Sequence, residues 1–184
     1  MQFPPNIQQI RVTTSLGPVR LAASPSGLCG LWFEGQRHEP AQLYGAHAWP
    51  TAISGHTVLG AAAAQLADWL AGIRHDFMLP LDLSVGTPFQ QAVWRALLDL
   101  GWGETCSYGA LAQRAGATAA VRAVGAAVGR NPISLVVPCH RVLGAGGALT
   151  GYAGGLDRKR ALLAMETAAA PAAPRAPAAA RLAA

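Results

Sequence analysis

A thiol, an imidazole and a guanidinium stand in succession at Cys139, His140 and Arg141, inside the stretch "VVPCHRV". They supply a nucleophile, a proton acceptor and a cation, the set that generates and holds a thiolate. Cysteine is also a common small, buried hydrophobe, so the heptapeptide by itself leaves a reactive and a structural role open. Pro138 fixes its own φ and biases Val137 toward extended conformations. "LVV" is therefore predicted to be a short buried strand with Cys139 at its end.

The elements that must position these residues fall into two groups. "IQQIRVTT", "PVRLAAS" and "LCGLWFEG" are β-rich runs separated by "SLGP" and "SPSG" turn signals, as in an antiparallel meander. "HTVLGAAAAQLADWLAGI" places Leu59, Ala62, Leu66, Trp69, Leu70 and Ile73 at helical spacing, and "FMLPLDL" is predicted to be a further strand. From Thr87 the signals turn helical. "TPFQ" is a capping box with proline in the first turn, and Phe89, Val93, Ala96, Leu97 and Leu100 form one apolar stripe ahead of Gly101. "SYGALAQRAG" is capped by Ser107 and closed by Gly116; "TAAVRAVGAAVGRN" is expected to be capped by Thr118. The pair resembles a helix-turn-helix. A glycine-rich loop and a last helix, "LDRKRALLAMET", follow. The reading is an α+β chain: a small antiparallel-sheet domain with a helix over residues 1–85, a helical winged helix-turn-helix-like domain over 86–167, and a disordered Ala/Pro tail over 168–184.

Composition narrows the partners. The chain has 184 residues, 52% hydrophobic and 12% charged, with a net charge of +5, which suits one or two globular domains rather than a disordered protein. No apolar run is long enough to span a membrane and no signal peptide is evident, so a cytoplasmic protein is expected. Three cysteines without CxxC spacing suggest neither a disulfide framework nor a zinc knuckle. Residues 1–88 carry four arginines against five acids, and 89–167 carry eight basic residues against four acids. The basic half suggests contact with a polyanion. Yet "VRAVGAAVGR" offers mostly alanine and glycine where a sequence-reading helix presents long polar side chains, with Arg122 and Arg130 as its main polar groups. Such a helix fits either a tightly packed core or close, sequence-independent approach to a narrow groove.

"GTPFQQAVWRALLDLGWGETCSYGALAQRAG", "AVRAVGAAVGRNPISLVVPCHRV" and "GALTGYAGGLDRKRALLAME" together resemble the O6-alkylguanine-DNA alkyltransferases. The match covers essentially all of residues 86–166; the N-terminal half matches only in layout, as a ribonuclease H-like domain. The resemblance implies a DNA repair protein that binds duplex DNA through the minor groove without sequence preference and flips the damaged nucleotide outward. It would act as a monomer, without cofactor or metal, on O6-alkylguanine and O4-alkylthymine. Cys139 would accept the alkyl group irreversibly, so each molecule would act once. His140 would take the thiol proton, in that family through a bound water, which agrees with the divergence of neighbouring side chains at a strand end. Glu166 would orient His140, and Asn131 would support the turn. Arg122, beside Ala123 and with Arg130 on the DNA-binding helix, would fill the gap left by the flipped base, and Tyr108 would turn the nucleotide out and donate to the guanine ring. Tyr152, Ala153 and Gly154 would line the pocket with the Ala153 amide near O6, and the carbonyls of Cys139 and Val142 would accept from the guanine amino group.

Several residues depart from the pattern or invite other readings. Val128 replaces the asparagine that many bacterial relatives carry. Cys106 and Cys29 are expected to be packing residues, and the tryptophans core. His38, His47 and His56 recur every nine residues, but with only Cys29 beside them they do not make a zinc site. "DRKR" fits a phosphate contact or a solvated helix start. Three rivals are disfavoured: a non-catalytic DNA-binding relative lacks the acceptor cysteine, a regulator needs a further metal-binding domain, and a cysteine hydrolase has no use for Arg122 and Tyr108.

Overall fold

Three short β-rich runs build the N-terminal sheet, its second and third strands largely buried. Strands β1 (Gln8–Val12), β2 (Val19–Ser24) and β3 (Gly27–Phe33) pair antiparallel in the order β1-β2-β3 in the computed structural model, which describes residues 1–52 and 55–168. β3 is buried along its whole length, because helix α1 (Thr57–Leu70) packs on the sheet through Leu59, Ala62, Leu66 and Trp69. The free edge of β3 is taken up by two later segments. Leu28 exchanges hydrogen bonds with Pro80 and Asp82, and Leu31 with Pro132 and Ser134. An exposed edge would be a pairing hazard; here it holds the segment that leads into Cys139. "FMLPLDL" thus contributes one bridge at Leu81 instead of a strand.

Helix α2 (Pro88–Leu98) begins with the expected box, Thr87 and Gln90 bonding each other's main chain reciprocally. Trp94 on its buried face donates to the carbonyl of Ala127 at 2.9 Å, which fixes α4 (Val121–Gly129) against α2. Ser107 caps α3 (Tyr108–Arg114). Thr118 opens a 3-10 turn and does not cap α4, whose first residue follows Ala120 without any side-chain cap. Two-residue strands β4 (Cys106–Ser107) and β5 (Val142–Leu143) pair in parallel and tie the start of α3 to the residues just past Cys139. Helix α5 (Leu156–Ala168) closes the described fold; apart from Ala168, the predicted tail lies outside the described residues. Two residues of the expected apolar stripes face solvent, Ile73 at 77% and Phe89 at 39% exposure, since Ile73 lies past the end of α1 and Phe89 in the first turn of α2. Among the described residues no helix is long and apolar enough to cross a membrane.

Candidate active site

Cys139 is delivered by turns, not by a strand. Leu135 has φ 71 at the centre of a three-residue turn closed by Val136 N–H to the Ser134 carbonyl at 2.9 Å. Pro138, at φ −81 and ψ 62, centres a second one, closed by Cys139 N–H to the Val137 carbonyl at 2.8 Å. The first has the rare γ-turn form and the second the common inverse one. A leucine at positive φ is strained, and the surroundings hold it. The Asn131 side chain spans the loop, donating to the Val137 carbonyl at 2.7 Å and accepting from Ile133 N–H at 3.0 Å. Chain direction then reverses through a 3-10 turn over Cys139–Arg141. The predicted strand fails because the N–H groups of Val136 and Val137 turn back on the carbonyls of Ser134 and Ile133, both at 2.9 Å.

The sulfur lies at the wall of a cavity of about 270 Å³ shared by Tyr108, Gly125, Arg130, Gly151, Tyr152 and Ala153, among others. Asn131 Nδ2 donates to Sγ at 3.0 Å. Burial dominates the thiol and pushes it up to about 11, against the opposing pull of the Asn131 hydrogen bond and the positive charge of Lys159. The resting group is a thiol, so a base must remove its proton before it can act.

His140 is placed to be that base. It is fully buried, and its Nε2 lies 3.0 Å from Glu166 Oε1. Burial lowers its pKa despite Glu166, so the neutral ring donates Nε2–H to the carboxylate and keeps the lone pair on Nδ1. Nδ1 is itself buried with no hydrogen-bond partner among the described residues. No direct bond joins His140 to Cys139, as expected from the sequence, though the two lie together in a 3-10 turn and not at a strand end. Trp69 meets the imidazole edge-to-face at 6.0 Å between centroids, and Trp102 packs on Trp69 at 5.0 Å.

Glu166 is also fully buried. Burial alone would raise its pKa, but hydrogen bonds from His140 and Arg141 outweigh it and bring the carboxyl down to about 2. Arg141 engages both carboxylate oxygens, with Nη2 at 2.7 Å from Oε1 and Nε at 3.0 Å from Oε2, and its Nη1 donates to the Leu100 carbonyl at 2.6 Å. The guanidinium expected beside the thiol therefore anchors the carboxylate instead.

The cation near the sulfur is one that sequence reasoning missed. Lys159, in the "DRKR" run, is completely buried and donates to the carbonyls of Val142, Thr150 and Gly151. Three acceptors match its three N–H groups. The run thus contains neither a phosphate contact nor a solvated start at this position, and only its acidic and arginine neighbours at 157 and 160 pair on the surface.

The remaining candidates separate. Tyr108, Arg130, Tyr152 and Ala153 line the cavity; Val142, Gly154, Arg122 and Ala123 do not. Val142 already gives its carbonyl to Lys159, and the Cys139 carbonyl accepts from Val142 N–H. Gly154 lies where a Cβ would come within 2.8 Å of the Tyr152 ring and 3.1 Å of Phe33, so glycine there permits packing. Arg122, Ala123 and Ala126 are exposed on α4, while Val124, Ala127 and Val128 face inward, which gives a helix with a small-residue outer face and one long cation. Cys29 is fully buried, its thiol pushed up to about 12 by burial. His56 caps α1, and no cluster of three or more metal-ligating side chains occurs among the described residues.

The family model for the DNA-binding domain of 6-O-methylguanine DNA methyltransferase matches residues 88–168. The methylated-DNA–protein-cysteine methyltransferase of Mycobacterium tuberculosis is 48% identical over 164 residues, covering 88% of this chain and 93% of that protein. The chain belongs to this family. Crystal structures of the M. tuberculosis O6-methylguanine methyltransferase superpose with a TM-score of 0.78 at 45% identity, over 91% of this chain and 96% of that one. A structure of the M. tuberculosis protein in complex with DNA gives 0.75 at 44% identity, over 90% and 95%. For a methyltransferase of this family the departure at Val128 is local: its side chain is buried against the cavity, where the asparagine would have been polar.

Proposed function

We propose that this chain repairs alkylated DNA by moving an alkyl group from guanine O6 onto Cys139, each molecule acting once. The observation that carries the reading is the buried line of Asn131, Cys139, His140 and Glu166. A thiol held at 3.0 Å by an amide donor opens onto a cavity, next to a neutral imidazole fixed at 3.0 Å by an ionised carboxylate. Proton transfer from Sγ through a water to Nδ1 leaves a thiolate and an imidazolium that Glu166 stabilises. The thiolate attacks the alkyl carbon, the carbon–O6 bond breaks, and its electron pair passes to the purine. Tyr108, at the first position of α3 and on the cavity wall, donates toward that charge. The Ala153 amide serves O6, since it donates to no acceptor among the described residues. The product thioether is stable and no second nucleophile stands beside it.

The exposed, small-residue face of α4 suits entry into the minor groove without sequence readout, with Arg122 filling the stack and Arg130 at the cavity. We assign residues 86–167 as the unit for DNA binding and alkyl acceptance, acting as an intracellular monomer without a cofactor. Intact-protein mass spectrometry after incubation with a duplex carrying one O6-methylguanine tests the reading. One methyl per molecule, mapped to Cys139 and absent from Cys139→Ala, supports it; DNA binding with no mass change refutes it.

A further inference from the structure

The cavity at Cys139 is not walled by residues 86–167 alone. The turn after β3 adds Arg37 and His38 to its lining. His38 has φ 66, a left-handed conformation uncommon for a non-glycine residue, at a turn whose preceding residues are tied down. Gln36 is buried and accepts from Phe33 N–H at 3.0 Å. Arg37 donates from its main-chain N–H to the Ala153 carbonyl at 3.1 Å and from Nη2 to the Tyr152 carbonyl at 3.3 Å. The N-terminal half is thereby latched onto the loop read above as the guanine-facing one.

The charge of Arg37 is unlike that of its neighbours. Of the four arginines in residues 1–88, Arg11 and Arg20 share Glu34 and Arg74 pairs with Asp76. Among the described residues Arg37 bonds only to main-chain carbonyls. It is exposed, and four of its five side-chain donors remain unused. Arg130 reaches the same cavity from the end of α4, also without a carboxylate partner among the described residues. A base that leaves a duplex to reach the sulfur brings a phosphate on either side of it. Those phosphates stop at the mouth of the cavity, and a guanidinium fork matches a phosphate bidentately.

We propose that Arg37 is a further DNA contact: its guanidinium binds a phosphate flanking the flipped nucleotide while its main chain steadies the 152–153 loop. This rests on the base-flipping reading above. The test uses full-length protein made non-reacting by Cys139→Ser, with Kd measured on a duplex carrying one O6-methylguanine over a range of salt. Arg37→Ala is expected to weaken binding about tenfold at physiological salt and to lower the slope of log Kd against log salt by about one, while Arg37→Lys keeps the slope. Replacing one of the two flanking phosphates by a neutral methylphosphonate should cost the parent what the alanine substitution costs, and cost Arg37→Ala nothing more. An unchanged slope in Arg37→Ala, or equal losses in parent and variant on both neutral duplexes, overturns the proposal. A merely structural role would lower the melting temperature of Arg37→Ala and weaken binding without moving the slope. If the parent itself does not prefer the lesion duplex to an undamaged one, the base-flipping reading has failed and the assignment of Arg37 falls with it; a lesion preference kept in the parent with no Arg37 effect overturns the assignment alone.

Discussion

Glu166 Oε1 lies 3.0 Å from His140 Nε2, with neither side chain exposed to solvent. Every negative charge that supports an imidazolium here comes from this one carboxylate, which Arg141 holds ionised. Glu166→Gln keeps the shape and removes the charge. Single-turnover methyl transfer should fall by roughly 10²-fold or more, the range of general-base effects. The variant also leaves Arg141 buried and unpaired, which costs about 3–5 kcal/mol and will appear in urea unfolding. An unaltered rate would remove Glu166 from the relay.

Stability should be lost toward acid. The folded pKa values of His140, lowered from 6.5, and of Glu166, lowered from 4.5 to about 2, both lie below the unfolded ones. Between those limits the unfolded chain binds more protons, so stability is complete above 6.5 and declines as pH falls toward 2. Glu166 accounts for about 3 kcal/mol of the decline. Cys139 acts at the other end: raised from 9.0 to about 11, it gives stability that is full below 9.0 and lost as pH rises to 11. Urea midpoints across this range should trace both limbs, with Cys139→Ser reducing the alkaline one and Cys29, raised to about 12, sustaining the rest.

Asn131→Ala deletes the donor to Sγ and to the Val137 carbonyl, and strands the Ile133 amide. Leaving buried groups unpaired costs about 1–3 kcal/mol each, so unfolding should shift markedly. The thiol should also ionise less readily, slowing iodoacetamide alkylation at mildly alkaline pH. Asn131→Asp keeps the size but brings a carboxylate to the sulfur, and should slow it further. Equal alkylation rates in all three proteins would show that Asn131 holds the loop without acting on the thiol.

A methyl group on Gly125 would lie 3.8 Å from Cδ1 and Cε1 of Tyr108, an ordinary contact inside the cavity. Gly125→Ala should therefore stabilise α4 by about 0.5–1 kcal/mol while narrowing the space for the alkyl group. We expect a higher melting temperature together with a transfer ratio for O6-benzyl over O6-methyl that drops roughly tenfold. An unchanged ratio would place the alkyl group elsewhere in the cavity.

Local chemistry made part of this legible. The capping box of Thr87 and Gln90 and the cap at Ser107 are contacts between residues three apart, and the meander is marked by short β-rich runs with turn residues between them, so both could be read from neighbours. The strand predicted at "LVV" could not be corrected that way, because the turns that replace it start from Ser134, which is held by Leu31, about a hundred residues earlier. The same holds for Arg141 and Lys159. Their positions in the chain suggest a thiolate partner and a solvated helix start, and only the folded geometry sends one to Glu166 and the other to three carbonyls. The pairing of His140 with Glu166 came from family resemblance, since no spacing rule links residues so far apart.

The edge-to-face contact of Trp69 with His140 has an optical consequence. An indole beside an imidazole changes its emission when that ring gains a proton, because a cation next to an excited indole quenches it. The protein thus carries its own fluorophore 6.0 Å from the group that receives the thiol proton. Unlabelled protein mixed rapidly with damaged duplex should report the proton-transfer step directly, in real time and separately from the slower record of product.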